Sequence, residues 1–497
     1  MLELFPPRRL ASVCASRLPT ATVLAAAALL AGCSMIPAYE RPPAPVAAQW
    51  PALGSAAGTT AATASAAELP WQDFVGDARL RALVELALHN NRDLRVAVLS
   101  IEQSRAQYQI RRADQWPTIN AAVAGNRQPA TNGSGNINST YTAGLALASW
   151  EIDFFGRVAS LQEVALAQFL ATQEARSAVQ TSLIASVVSS WLSLQTNEEL
   201  LALTQRTLAT REDSLRLNQL RFEQGVTSAL DLRQAQSLTA AARSTLAQQQ
   251  RLRALDVNAL TLLVGQPVPE RLLPTPQDER ALALHDVPEG MPSDLLQYRP
   301  DIRQAEQQLI AANANIGAAR AAFFPRIALT ASAGTASGAL SGLFKSGSWG
   351  WTLAPQAVLP IFDAGRNQAG LDSARAGRAI AMAQYDKAIQ GAFREVADAL
   401  AGRATLGEQV RAQQEQATAE ADRFRLADLR YRNGVASYLD VLDAQRALFA
   451  TQQALAQTQL AQRQNQVALY RALGGGWAAD TAPGAAEIVN RAPAPAQ

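Results

Sequence analysis

Apolar positions recur with two different periods along this chain. Leu94, Val98, Ile101 and Ala106 fall on one face of a helix predicted from about Asp93 to Arg112, and Asp77 is placed to cap a preceding helix that runs through Ala87. Trp116-Pro117 ends that pattern. Ile119, Ala121 and Val123 then alternate with Thr118, Asn120 and Ala122, and Tyr141, Ala143, Leu145 and Leu147 alternate with small residues across a Gly/Asn/Ser/Thr loop at 128–140. Alternation with period two predicts a β-hairpin over 118–152. A second hairpin is predicted over 326–362, with Ile327, Leu329 and Ala331 in one strand and Trp349, Trp351 and Leu353 in the other. Strands of roughly ten residues match tilted strands that cross a bilayer, which take about 9–11. Trp116, Trp150, Phe154, Phe155, Phe323, Phe324 and Phe362 stand at the strand ends, where an aromatic belt would sit. A soluble hairpin shows the same alternation.

The intervening stretches are helical and long. Neither Pro nor an internal Gly interrupts residues 156–222, which as one helix would run about 100 Å at 1.5 Å per residue. Residues 365–433 repeat this stretch, apart from Gly370, Gly377, Gly391, Gly402 and Gly407. Shorter helices are predicted over Ala229–Val264 and Ser437–Leu473, about 55 Å each, and from Arg299 to Ala322, about 36 Å. A short helix and this last one, end to end, match one long helix.

The two halves are copies. RFEQGVTSALDLRQAQ (221–236) and RYRNGVASYLDVLDAQ (430–445) place Gly225 and Gly434, Asp231 and Asp440, and Gln236 and Gln445 each 209 residues apart. SWEIDFFGR answers VLPIFDAGR with Gly156 and Gly365 at the same separation, and Pro117 answers Pro325 at 208. A Gly followed by an apolar ladder predicts a sharp reversal between helices, so the chain builds one hairpin tip twice. Repeat 1 spans 71–265 and repeat 2 spans 294–475. The Pro-rich connector between them covers 266–293, and an Ala/Pro-rich tail, 476–497, is expected to be disordered.

Composition narrows the compartment. Arg8, Arg9 and Arg17 precede an apolar run from Ala21 to Ala31 that is too short for a spanning helix, so residues 1–32 read as an export signal. The run ends LLAGCS, which resembles a bacterial lipoprotein signal with Cys33 as the lipidated N-terminus and Ser34 favouring the outer membrane. An ordinary cleaved signal with an incidental Cys is the alternative. Residues 33–70 form an extended leader. Removing 1–32 leaves 41 basic and 41 acidic residues, so no basic excess favours nucleic acid. Cys33 is then the single cysteine, with His89 and His285 the only histidines, which leaves little for a disulfide, a metal site or a catalytic constellation.

Four spanning strands cannot close a barrel, because unpaired edges in lipid are prohibitively costly. Two or three copies would supply eight or twelve strands, and a trimer with a helical tube is the preferred reading. Asp440 and Asp443 lie at i and i+3, so three copies would make rings of carboxylates that constrict a pore. The alternative is ordinary acidic charge at a helix start.

The paired RxxxG…D…AQ tips, the two strands in each half and the LAGC signal resemble the TolC-like outer-membrane factors. Within them, the OprM/NodT lipoproteins of resistance-nodulation-division (RND) efflux systems are most similar in pattern, and PAYERPP (37–43) resembles their mature N-terminus. The resemblance covers about residues 36–475. It implies a mainly α fold with a transmembrane β part: a homotrimer with a twelve-stranded barrel and a long α-helical coiled-coil barrel. It also implies a passive duct for drugs or other small molecules, fed by an inner-membrane RND pump through a periplasmic adaptor. Diacylglycerol and palmitate on Cys33 would hold it to outer-membrane lipid, and no enzyme activity or other cofactor is implied. By resemblance Asp231, Asp440 and Asp443 match acidic positions at a closed periplasmic entrance, Leu439 an apolar gate position and Tyr431 a gate tyrosine. Ala436 stands where some members carry Arg, which argues against a salt-bridge lock there. Gly225, Val226, Gly434 and Val435 would present the tips to the adaptor, or serve only the turn. An exit duct for secreted protein is the runner-up, which the lipobox disfavours; a non-conducting coiled-coil lipoprotein is a third reading.

Overall fold

The computed structural model describes residues 34–47, 49–50, 69–129, 137–275, 284–288 and 294–476. The expected signal, Cys33, the tail beyond Gly476, residues 51–68 of the leader and much of the 266–293 connector lie outside the described residues. The chain divides into two units, one of Met1–Tyr39, Gln107–Ala165 and Ala311–Arg378, the other of Glu40–Ala106, Leu166–Ile310 and Ala379–Gln497.

The first unit holds one antiparallel sheet in the order β1 (Ile119–Pro129), β2 (Ile137–Ile152), β3 (Arg326–Ser337) and β4 (Trp349–Val358). Each hairpin belongs to one repeat, and β2 pairs with β3 to join them. The first hairpin loop is narrower than predicted. Asn126, Arg127 and Gln128 still pair with Thr140, Ser139 and Asn138, because the ladder is made by backbone groups and continues where side chains turn polar. Every residue of β1 and β4 is exposed, and neither outer edge has a partner among the described residues.

Directly opposed residues share a face. One face carries the rows Ile119–Leu147–Ala331–Leu353, Ala121–Leu145–Ala333–Trp351 and Val123–Ala143–Thr335–Trp349. The other carries Asn120–Ala146–Ser332–Thr352 and Ala122–Gly144–Gly334–Gly350, with the hydroxyls of Ser332 and Thr352 2.7 Å apart. The sheet therefore has one apolar face and one of small and polar residues, and among the described residues no other element pairs with its outer edges.

The helices are α1 (Trp71–Phe74), α2 (Ala78–Asn90), α3 (Arg92–Ala113), α4 (Arg157–Glu223), α5 (Ala229–Val264), α6 (Asp294–Tyr298), α7 (Pro300–Ala321), α8 (Arg366–Arg432) and α9 (Tyr438–Ala472). Helices α4 and α8 have 67 residues each; neither contains Pro, and the five glycines of α8 do not break it. Asp77 caps α2, its carboxylate accepting from the backbone N–H of Arg79 at 2.7 Å and of Leu80 at 3.1 Å. On α3 the expected stripe is not a buried one. Leu94 is buried, Val98 and Ile101 are half-buried and Ala106 is exposed, because this chain packs little against the helix beyond its start.

The core of the second unit is centred on α4, where Val187, Val188, Trp191, Leu192 and Leu194 are fully buried. Helix α4 is long and apolar enough to cross a membrane by composition, yet more than half of its apolar window is buried inside the chain, which makes it a core helix. The Trp191 indole donates to the Leu272 carbonyl at 3.1 Å, and the rings of Phe74 and Tyr470 stack at 4.1 Å. Arg299 is buried and donates to Asp301, to Glu395 and to the Ala472 carbonyl, tying α8 and the end of α9 to the start of α7. Described parts of the connector are irregular, as its prolines require: one 3₁₀ turn at Glu270–Leu272 and one bridge between Val75 and Leu284.

Candidate functional site

The two hairpin tips lie in the helical unit, and the same local chemistry builds both. Gly225 and Gly434 have φ of +71° and +72°, a conformation that side chains with a Cβ rarely adopt. The N–H of the following valine closes each turn: Val226 donates to the Arg221 carbonyl at 2.8 Å and Val435 to the Arg430 carbonyl at 2.9 Å. Ser228 and Ser437 then cap α5 and α9. Each hydroxyl accepts from the N–H three residues on, and the carboxylates of Asp231 and Asp440 return the bond to the cap backbone at 3.3 and 3.1 Å. Two of the expected gate acids thus act first as capping acids. Hydrogen bonding from the Ser228 hydroxyl holds the Asp231 carboxyl below the usual carboxylate range. Replacing Ser437 with Ala is expected to cost about 1 kcal/mol of local stability, read as faster amide exchange at residues 439–441.

The Gly, Ser and Asp shared by the two tips serve the turn and its cap; positions that differ add contacts found at one tip. The second tip has Arg423, Tyr431, Tyr438 and Asp443 where the first has Ser214, Phe222, Ala229 and Gln234, each 209 residues earlier. These four residues make two separate sets of contacts. Arg423 pairs with Asp443 across the hairpin. Arg221, from the first tip, donates to the Tyr431 hydroxyl and lies 5.0 Å from the centre of its ring. The Tyr431 and Tyr438 rings approach to 5.3 Å. Tyr438 is buried with Val441, Leu442 and Ala235. Burial, with Tyr431 alongside, pushes its phenol up to about 12.

Asp440 and Asp443 share one turn of α9 but engage different partners. The salt bridge not expected at Ala436 exists at Asp443, with its cation drawn from α8. The residues that reasoning on the sequence missed are Arg221, Arg423 and Tyr438. The signal for the last two was present in the differences between the repeats.

The tips also share an exposed apolar pattern. Leu217, Leu220, Val226 and Leu230 on the first tip answer Leu426, Leu429, Val435 and Leu439 on the second, each 209 residues later, and all eight are exposed. Scattered exposed leucines need no explanation, but the same four positions exposed twice mark a surface patch on each tip.

The two-repeat organisation is matched by a known family. The family model described as outer membrane efflux protein matches residues 83–266 and 291–475, one match for each repeat. The antibiotic efflux pump outer membrane protein ArpC of Pseudomonas putida is 47% identical over 454 residues, covering 90% of this chain and 94% of that protein. The toluene efflux pump outer membrane protein TtgC, also of Pseudomonas putida, shows the same identity over the same length and coverage. The solved open-state MtrE outer membrane channel of Neisseria gonorrhoeae superposes with a TM-score of 0.81 at 41% identity, over 90% of this chain and 99% of that one. Capped twin tips, a two-faced sheet with open edges and these matches over nine-tenths of the chain lead to one conclusion: this protein belongs to the outer membrane efflux protein family and is an efflux channel subunit of the outer membrane.

Proposed function

We propose that three copies close their sheets into one twelve-stranded barrel and conduct small molecules passively out of the cell. A periplasmic adaptor and an inner-membrane RND pump would feed them. The observation behind this is the sheet: the outer edges of β1 and β4 lack partners among the described residues and its two faces differ in polarity. Unpaired backbone groups in hydrocarbon cost several kcal/mol each, so pairing β1 of one copy with β4 of the next is the favoured closure. The apolar rows then face lipid, and the rows of Gly, Ala, Ser, Thr and Asn face the lumen. A lumen lined by small side chains suits varied cargo. Antibiotics and toluene, named for ArpC and TtgC, mark the cargo class we carry over to this chain.

The tips form the periplasmic entrance in this reading. Asp443 with Arg423, Tyr431 with Arg221, Leu439, and the capping acids Asp440 and Asp231 line or brace a gate. The repeated apolar patches around Gly225–Val226 and Gly434–Val435 take the adaptor, which gives two adaptor sites per chain. We also propose that Cys33 carries diacylglycerol and palmitate. Two residues later the chain is held on α7, which leads into β3: Arg320 donates to the Met35 carbonyl at 3.3 Å and Asn313 to the Pro37 carbonyl at 2.8 Å.

The test is the full chain purified in detergent, its mass measured and its conductance recorded in planar bilayers. A trimer with ion-conducting steps is expected. A stable monomer, or a trimer that passes no current under any voltage, overturns the reading.

A further inference from the structure

The seam between the two repeats carries a feature that neither hairpin explains alone. Gly144 of β2 faces Gly334 of β3, and the row continues to Ala122 on β1 and Gly350 on β4, all on the small, polar face. A Cβ on Gly144 would lie 2.4 Å from the Ala333 carbonyl oxygen and 2.6 Å from the Gly334 Cα. A Cβ on Gly334 would lie 2.3 Å from the Ala143 carbonyl oxygen and 2.6 Å from the Gly144 Cα. These are backbone atoms and cannot swing aside. Gly350, on the same row and the same face, would meet nothing within 4 Å. The crowding is therefore local to the β2–β3 seam and is not a property of the row. In the same strand pair the register shifts between Leu147 and Trp150, and Ser149 takes a positive φ of 46°.

Curling a sheet brings the Cβ atoms of its inner face together, and glycine is the residue that relieves this. Two glycines directly opposed, with no room for a methyl on one face, mark a bend toward that face. A register irregularity a few residues along the ladder is the other standard means of bending a strand pair.

We infer that Gly144 and Gly334 form the bend line about which the two hairpins fold toward the polar face, and that this bend sets the curvature with which copies of the chain close their barrel. The inference rests on the proposed three-copy barrel. It assigns the turning of the sheet to one pair of residues at the join of the repeats. It also makes the polar face the concave one, from packing alone.

The experiment compares full-length parent, Gly144→Ala, Gly334→Ala and Gly350→Ala in native membranes. Heat-resistant trimer on gels, bilayer conductance and far-ultraviolet circular dichroism of the purified proteins are read together. Gly144→Ala and Gly334→Ala are expected to yield about tenfold less trimer at the parent's helical content, while Gly350→Ala assembles as the parent does. The inference is overturned if both seam variants assemble normally, if Gly350→Ala falls as far as they do, or if the seam variants lose their helices and so fail as whole chains. A parent that itself forms no trimer or passes no current would instead sink the channel reading, which separates the two failures.

Discussion

Leu353→Arg is expected to leave the chain unable to assemble in the outer membrane, whereas Thr352→Arg, one residue away, assembles and changes ion selectivity. The two positions are neighbours on β4 and differ only in face. Leu353 continues the row Ile119–Leu147–Ala331, and Thr352 continues Asn120–Ala146–Ser332. An arginine on the lipid face near mid-membrane costs about 2–4 kcal/mol, and closing three copies imposes that cost three times. At Thr352 the added guanidinium would enter a wet lumen, where its cost is small and its field acts on passing ions. Membrane fractionation and trimer yield should separate the variants, and reversal potentials should move toward anion preference for Thr352→Arg. If the two variants behave alike in both measurements, the assignment of faces is wrong.

Long-range periodicity made the elements legible in the sequence. Stretches without Pro, and nearly without Gly, between Gly156 and Glu223 and between Gly365 and Arg432 read as helix, and alternation at 119–123 and 327–331 read as strand. The 209-residue repeat fixed the equivalence of the tips. What stayed hidden depended on which elements come side by side. No local pattern tells that β2 joins β3, so the Gly144–Gly334 contact was invisible until the register was known. Arg423 lies 20 residues before Asp443 and reaches it because the Gly434 turn folds α8 back along α9. The acids at 231 and 440 were legible as acids at a helix start, yet Ser-x-x-Asp at 228–231 and 437–440 also spelled a capping box. Both jobs fit one sequence signal, and the hydrogen bonds decide which job comes first.

If the tips close the entrance as proposed, the differences between them indicate which residues to change to open it. Asp440→Ala removes a capping bond that Asp231 duplicates on the other tip, so its main effect falls on the first turn of α9. Asp443 and Tyr431 have no counterparts in the first tip, and each is held by an arginine: Asp443 by Arg423 of the same hairpin, Tyr431 by Arg221 of the other. Arg221→Ala combined with Asp443→Ala therefore breaks both cross-links while leaving the turns and caps whole. The double variant is expected to raise single-channel conductance severalfold and to make cells carrying it sensitive to vancomycin, which is too large for ordinary porins. Asp440→Ala combined with Asp443→Ala should also raise conductance, with an added loss of amide protection at the start of α9 that the first pair does not show. The Arg423–Asp443 pair is exposed and screened by salt, so the gain from Asp443→Ala alone should shrink as ionic strength rises. The Arg221 contact includes the face of a half-buried ring and should respond less. Conductance that is unchanged in the Arg221→Ala, Asp443→Ala variant at low salt would show that these contacts brace the tips without closing them.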